Sequence, residues 1–250
     1  MAITIKTPEE IEIMRKAGKI LATVLEEVCN KAKAGVSTKE LDIFAEELII
    51  KMGGKPAFKG FHNYPATLCT AIDSVIVHGI PRNDEILKEG DLFTADCGVI
   101  LDGLYTDAAR TIGIGEISPL KKRLIETAKT AFYKGVDAAK PGKKVSEISK
   151  AIEETINEAN FKVIYDLTGH GIGRSLHEDP IVLNYYDGER GAQLKPGMTI
   201  AIEPIFAVST HELKTLSDGW TIVTDDDSLA VQYENTVLIT QTGAEILTEL

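Results

Sequence analysis

The stretch from Asp91 to Arg110 constrains this chain more than any other. Asp102-Gly103 is a strong two-residue hairpin turn between apolar strands. That turn sets Leu101 against Leu104, Val99 against Thr106 and Asp96 against Ala109. Side chains two apart on a strand share a face, so Asp107 stands on the face of Asp96 as its diagonal neighbour, about 7–8 Å away. Two carboxylates so placed each reach one of two metal ions ~3.5–4 Å apart, or share one ion. The alternative is one exposed face of an edge hairpin. The otherwise apolar strands weigh against it, because a buried carboxylate pair without a cation is costly.

The rest of the chain reads as helix pairs followed by strands. Thr7, Pro8 and Glu10 form a helix start, with Thr at the N-cap, Pro at N1 and Glu at N3. Ile11, Met14, Ala17, Leu21, Val24, Leu25 and Val28 follow at helical spacing. Ser37 with Glu40 opens a second helix that stops at Gly53-Gly54. Ser118-Pro119 opens a third, and a fourth carries Ile148, Ile152 and Ile156. Lys33-Ala34-Gly35, Glu40-Leu41 and Glu46-Glu47 match Lys140-Pro141-Gly142, Glu147-Ile148 and Glu153-Glu154 at one offset (140 − 33 = 107). Amphipathic helices share residues by chance, or two αα-then-β halves repeat. Strand-like runs after each helix pair favour the second reading, with halves about 1–115 and 116–250. No Ser- or Pro-rich linker parts them, so one domain over 1–250 is expected.

Composition removes several function classes. A formal net charge of -11 disfavours nucleic acid, whose phosphates need clustered Lys and Arg, and it disfavours an anionic membrane surface. No apolar run approaches the ~20 residues of a membrane span, and the first residues lack the apolar core of a secretory signal. Cys29, Cys69 and Cys97 are odd in number and form no CxxC pair, which suits reduced thiols in the cytoplasm.

Further candidate ligands lie beyond the hairpin. Gly169-His170-Gly171-Ile172-Gly173 sets an imidazole among glycines that allow close backbone approach. Glu203-Pro204 ends an apolar strand, and Glu234 sits inside a strand-like run. Each Glu alone is more often a strand-end surface residue. Together Asp96, Asp107, His170, Glu203 and Glu234 make a set suited to divalent first-row metals, with no thiolate to select zinc or copper(I). Two ions offset the excess negative charge.

The chain resembles the type I methionine aminopeptidases, in their short bacterial form, over nearly its whole length. The resemblance rests on His78-Gly79-Ile80-Pro81, on Asp96 and Asp107, on Gly169 to Gly173, on His177-Glu178 and on Glu203-Pro204. Asp218-Gly219-Trp220-Thr221 and Gln232-Tyr233-Glu234 complete it. It implies an α+β pita-bread fold: two pseudo-symmetric αα-β halves around a curved antiparallel sheet. It implies a metalloaminopeptidase that removes the initiator methionine from nascent polypeptides and prefers a small second residue. The cofactors would be two divalent ions, Co, Mn, Fe or Zn. Asp96 would serve one ion, His170 and Glu203 the other, and Asp107 and Glu234 both. A metal-bridged hydroxide would attack the first peptide bond.

Three roles follow from the same resemblance. Glu203 would carry the proton, His177 would stabilise the oxyanion, and His78 would bond or position the scissile amide. Phe61, Tyr64, Cys69, Leu176 and Trp220 would line the methionine pocket. Phe58, Phe61 and Leu176 stand where the family more often has Cys, Tyr and Phe; all remain apolar. His62 reads as structural or at the pocket edge, and His211 as surface. The resemblance implies a cytoplasmic monomer, a possible transient ribosome association, and no nucleic-acid or membrane partner. The rival readings are a proline-specific peptidase of the same fold, which usually carries an additional N-terminal domain, and a non-catalytic binding protein that has lost metal ligands.

Overall fold

A computed structural model describes residues 3–188 and 191–250. Its helices are α1 (Pro8–Lys31), α2 (Thr38–Lys51), α3 (Pro119–Ala138) and α4 (Val145–Glu158). The strands of the first part are β1 (Lys55–Pro56), β2 (Leu68–Ile72), β3 (Val75–Val77), β4 (Leu92–Leu101) and β5 (Leu104–Gly113). Those of the second are β6 (Lys162–Val163), β7 (Gly169–Gly171), β8 (Glu178–Val182), β9 (Thr199–Ile202), β10 (Ile205–Ala207), β11 (Leu213–Thr215), β12 (Ile222–Thr224), β13 (Ala230–Gln232), β14 (Glu234–Ile239) and β15 (Ala244–Ile246).

Local chemistry sets the helix starts. The Thr7 hydroxyl accepts from Glu10 N while a Glu10 carboxylate oxygen accepts from Thr7 N, which satisfies two otherwise orphaned donors. Ser37 and Glu40 repeat the device on α2, and Ser118 caps α3. Lys144, at the N-cap of α4, supplies no side-chain cap. The helix α2 ends at Lys51, just short of Gly53-Gly54.

A nine-stranded antiparallel sheet runs β1-β4-β5-β14-β9-β7-β8, with β2 on β4 and β15 on β14. The hairpin has the register its turn demands: Leu101 faces Leu104, Val99 faces Thr106 and Asp96 faces Ala109. Asp102 and Gly103 take φ of 48° and 83°, the left-handed pair that matches the strand twist. This hairpin is no edge, since β2 and β1 flank it on one side and β14 on the other. The exposed-face alternative is therefore ruled out. Two three-stranded sheets complete the fold: β13-β10-β6 within the second part, and β11-β12-β3, which joins β3 of the first part to the second.

Helices cover the large sheet in two apolar layers. Leu21, Leu25, Leu41, Ile49 and Phe93 join α1 and α2 to β4 and β5. Leu124, Phe132, Ile148, Ile152, Ile200 and Val237 join α3 and α4 to β9 and β14. A third cluster, including Tyr64, Cys69 and Leu176, surrounds a cavity formed with the sheet.

Candidate active site

Sheet order gathers the five candidate ligands from distant parts of the chain. Asp96 lies on β4, Asp107 on β5 and His170 on β7, while Glu203 follows β9 directly and Glu234 opens β14. Ala109 pairs with Asp96 on one side and Glu234 on the other, so all three occupy one row across β4, β5 and β14. Paired residues share a face, and Asp107, two residues from Ala109, shares it too.

The functional atoms converge. Ligand atoms of Asp107, His170 and Glu234 all lie within 4.8 Å of one another. His170 Nε2 is 3.7 Å from Glu203 Oε1. His170 Nδ1 sits 2.9 Å from Gly171 O; with Nδ1–H donating there, Nε2 is left as the acceptor facing the acids. Asp107, Glu203 and Glu234 are 4%, 8% and 2% exposed.

Electrostatics sharpen the arrangement. Burial first, and repulsion from neighbouring carboxylates second, raise Asp107, Glu203 and Glu234 well above the usual carboxylate range. Burial pushes Asp96 up to about 7. His170 is brought down to about 4 by burial and then by His177. His78 is lowered by burial and by His177, and His177 by burial and by His62. His170 is therefore neutral at pH 7, as metal ligation requires, and the neutral form is favoured at His78 and His177.

A divalent-cation site fits these residues. Asp96 Oδ1, Asp107 Oδ1 and Glu234 Oε1 are buried and have no hydrogen-bond partner. Orphaned acceptors grouped this way need a cation, since the acids cannot all be charged without one. An oxygen-rich donor set with one imidazole suits divalent first-row metals.

The remaining expected residues line one cavity of about 580 Å³ with the acids. Phe61, Tyr64, Cys69, Leu176 and Trp220 form apolar wall, and Phe58 joins them. His78 and His177 face the same space. His78 has φ of 60°, a strained value for a side-chain-bearing residue and one met at functional sites. The His177 ring lies 4.4 Å from that of His170 and 5.4 Å from that of Phe61, centroid to centroid. His62 lines the cavity and His211 is exposed.

Sequence reasoning gave Gln232 no role of its own. Its Nε2 donates to Glu234 Oε2 at 3.1 Å and to Glu203 Oε2 at 3.4 Å, spacing the two acids. Asn184 Nδ2 donates to Glu203 O at 3.0 Å. Lys6, buried against Glu178 beside His177, was also missed. Nothing in the sequence around Lys6 points to a partner so far along the chain.

Comparison with known proteins agrees with this geometry. Residues 12–241 match Metallopeptidase family M24, a family that uses divalent metal. The methionine aminopeptidase of Clostridium acetobutylicum is 48% identical over 246 residues, 98% of each chain. The crystal structure of methionine aminopeptidase from Thermotoga maritima matches with a TM-score of 0.98 at 40% identity, over 100% of both chains. Prolidase from Pyrococcus furiosus matches with a TM-score of 0.81 at 30% identity, over 98% of this chain and 65% of the prolidase. The pita-bread fold is common to all of them. By sequence, fold and full-length coverage, the chain belongs to metallopeptidase family M24 and, within it, to the methionine aminopeptidases.

Proposed function

We propose that this chain hydrolyses the first peptide bond of polypeptides that begin with methionine. In this reading Asp96, Asp107, His170, Glu203 and Glu234 would together hold two divalent ions. The observation that carries it is the buried acid cluster with three orphaned oxygens at one end of an apolar cavity. When bound, such ions supply Lewis acidity and bring a water's pKa toward about 7; Co, Mn, Fe and Zn all suit the donor set.

The chain's own groups do the rest. Glu203 takes a proton at a carboxylate oxygen from the attacking water and returns it to the departing amine. His177, kept neutral, donates an N–H to the developing oxyanion. His78 orients the scissile amide. Phe61, Tyr64, Cys69, Leu176 and Trp220 exclude water around the methionine side chain, whose burial contributes about 1.5–3 kcal/mol. The same crowding favours a small second residue.

We assign the enzyme to the cytoplasm, as a monomer acting on nascent polypeptides in transient contact with the ribosome. Cys29, Cys69 and Cys97 are all unpaired, which suits a reducing compartment; family membership supports the remainder. A cleavage panel on chelator-treated protein tests the whole reading. Met-Ala-Ser is cleaved once Mn, Co or Fe is restored, faster than Met-Trp-Ser, and Ala-Pro peptides are spared. Preference for Ala-Pro, or cleavage that ignores the metal, contradicts it.

A further inference from the structure

His177 comes from a loop that Thr4 and Lys6 fasten through Glu178. Lys6 Nζ lies 2.7 Å from Glu178 Oε2, with the two side chains only 1% and 4% exposed. Thr4 Oγ1 donates to the same carboxylate oxygen and accepts from Lys6 Nζ. The other oxygen, Glu178 Oε1, accepts the backbone N–H groups of Arg174 at 2.6 Å and Ser175 at 3.0 Å. Lys6 is itself anchored, its backbone N donating to Gly197 O at 2.8 Å.

The lysine stem also fills space at the loop's start. A Cβ on Gly173, whose φ is +146°, would come within 2.1 Å of Lys6 Cε. From α1, Glu10 holds the Arg174 guanidinium at 2.7 and 2.9 Å. These contacts grip residues 173–175 and 178, on either side of Leu176 and His177 in the chain. The side chains of those two line the cavity.

Burying an ammonium and a carboxylate is a costly way to gain stability alone. It does define geometry, because a charged pair with every lone pair engaged tolerates little displacement. Side chains that act on a substrate are only as well placed as the shell supporting them.

We propose that Lys6 is a positioning residue: through Glu178 it fixes the Gly173–Glu178 loop and so sets His177 at the cavity wall. The inference rests on the aminopeptidase reading of the site, and its test keeps the two separate. Lys6→Met removes the ammonium and keeps an apolar stem. With Met-Ala-Ser, kcat is expected to fall about 10- to 100-fold, as for a misplacement on the order of 1 Å, while KM stays within about threefold. Metal content stays that of the wild type, since Lys6 touches none of the five candidate ligands.

A second readout follows the imidazole directly. In histidine-labelled protein the His177 ring signal, assigned by its loss in His177→Gln, is single in the wild type and broadened or doubled in Lys6→Met. A purely structural role for Lys6 lowers the unfolding midpoint and moves neither kcat nor this signal. Should Lys6→Met not fold, Lys6→Met/Glu178→Gln removes both charges together and is judged the same way. Should the wild type fail to cleave Met-Ala-Ser, the functional reading falls and the His177 signal alone decides the positioning. A folded variant with kcat within about twofold of wild type, or with an unchanged His177 signal, overturns the proposal.

Discussion

The two αα-then-β parts of the molecule share a set of backbone contacts at one offset and differ in where they carry chemistry. Ser37 bridges Ile86 in the first part, and Lys144 bridges Gln193 in the second. Gly35 N donates to Leu87 O as Gly142 N donates to Leu194 O. The strands β4 and β9 begin at Leu92 and Thr199. All of these pairs keep the offset of the helix motifs, which sets Glu203 on the rung of Asp96. On the second strand of each part, Gly90 N donates to Ile114 O and Gly197 N to Ile239 O. Counting back equally from Ile114 and Ile239, Glu234 stands where the first part has Ala109, and Gln232 where it has Asp107.

The difference teaches how one scaffold builds an asymmetric centre. The first part closes its strand pair with Asp102-Gly103 and supplies two acids from a single hairpin. The second opens the same connection into β10 to β13, and supplies the imidazole, two acids and Gln232 from separate elements. Ala109 and Glu234 pair across the seam, so neither part holds the candidate site alone.

Equivalent rungs need not do equivalent work, and this is where the largest effect is expected. Glu203→Gln should lower kcat about 10⁴-fold, because proton transfer is lost along with a ligand. Asp96→Asn should cost about 10²- to 10³-fold, chiefly through lower metal occupancy. Steady-state rates with metal analysis on both variants decide it, and equal losses at equal occupancy would erase the functional asymmetry.

The two apolar layers offer the next comparison. Phe93 and Phe132 are both fully buried, one in each layer. Either Phe→Ala change should cost about 3–5 kcal/mol, read from urea unfolding. If the parts form one cooperative body, both variants shift a single transition; two separate transitions would break that unity.

In the proposed reading His78, from the first part, acts on the same substrate as His177 from the second; both line the cavity. His78→Ala should lower turnover about 100-fold with both metal ions retained. Loss of the ions in this variant would make His78 a ligand and redraw the boundary between the two sets.

Smaller effects come from the helix starts. Ser37→Ala disrupts a reciprocal capping box and should cost about 1–2 kcal/mol. Ser118→Ala removes one 3.3 Å bond and should cost about 0.5–1 kcal/mol. Chemical denaturation of the pair ranks them, and the reverse order would discount the box.

The least effect is the Glu10–Arg174 pair that ties α1 to the His177 loop. The Arg174 guanidinium holds Glu10 at about 2, below its ordinary 4.5. A depressed carboxyl stabilises the fold above the unfolded value and loses that contribution as pH falls from 4.5 toward 2. Thermal unfolding of Glu10→Gln should therefore differ slightly from wild type at pH 6 and converge with it near pH 2. High salt should shrink the difference, as for any exposed pair.

Legibility in the sequence follows the same division. The hairpin could be read to the residue because an Asp-Gly turn fixes register, and register fixes faces. Capped helices were equally plain at Thr7, Ser37 and Ser118. The second part was harder: β6, β10, β11, β12 and β13 have two or three residues each, too few for a period to show. Gln232 was visible only as a neighbour of Glu234, since nothing local says that an amide spaces two acids. The Lys6–Glu178 pair joins residues 172 apart in the chain, and no sequence period encodes such a contact.

Five side chains drawn from both parts would hold two divalent ions between them. Anomalous diffraction from a manganese-loaded crystal, recorded at the metal's absorption edge, tests this most directly. Two peaks about 3.5–4 Å apart, enclosed by Asp96, Asp107, His170, Glu203 and Glu234, are the predicted result. Peaks elsewhere, or none within reach of both aspartates and both glutamates at saturating manganese, would contradict it.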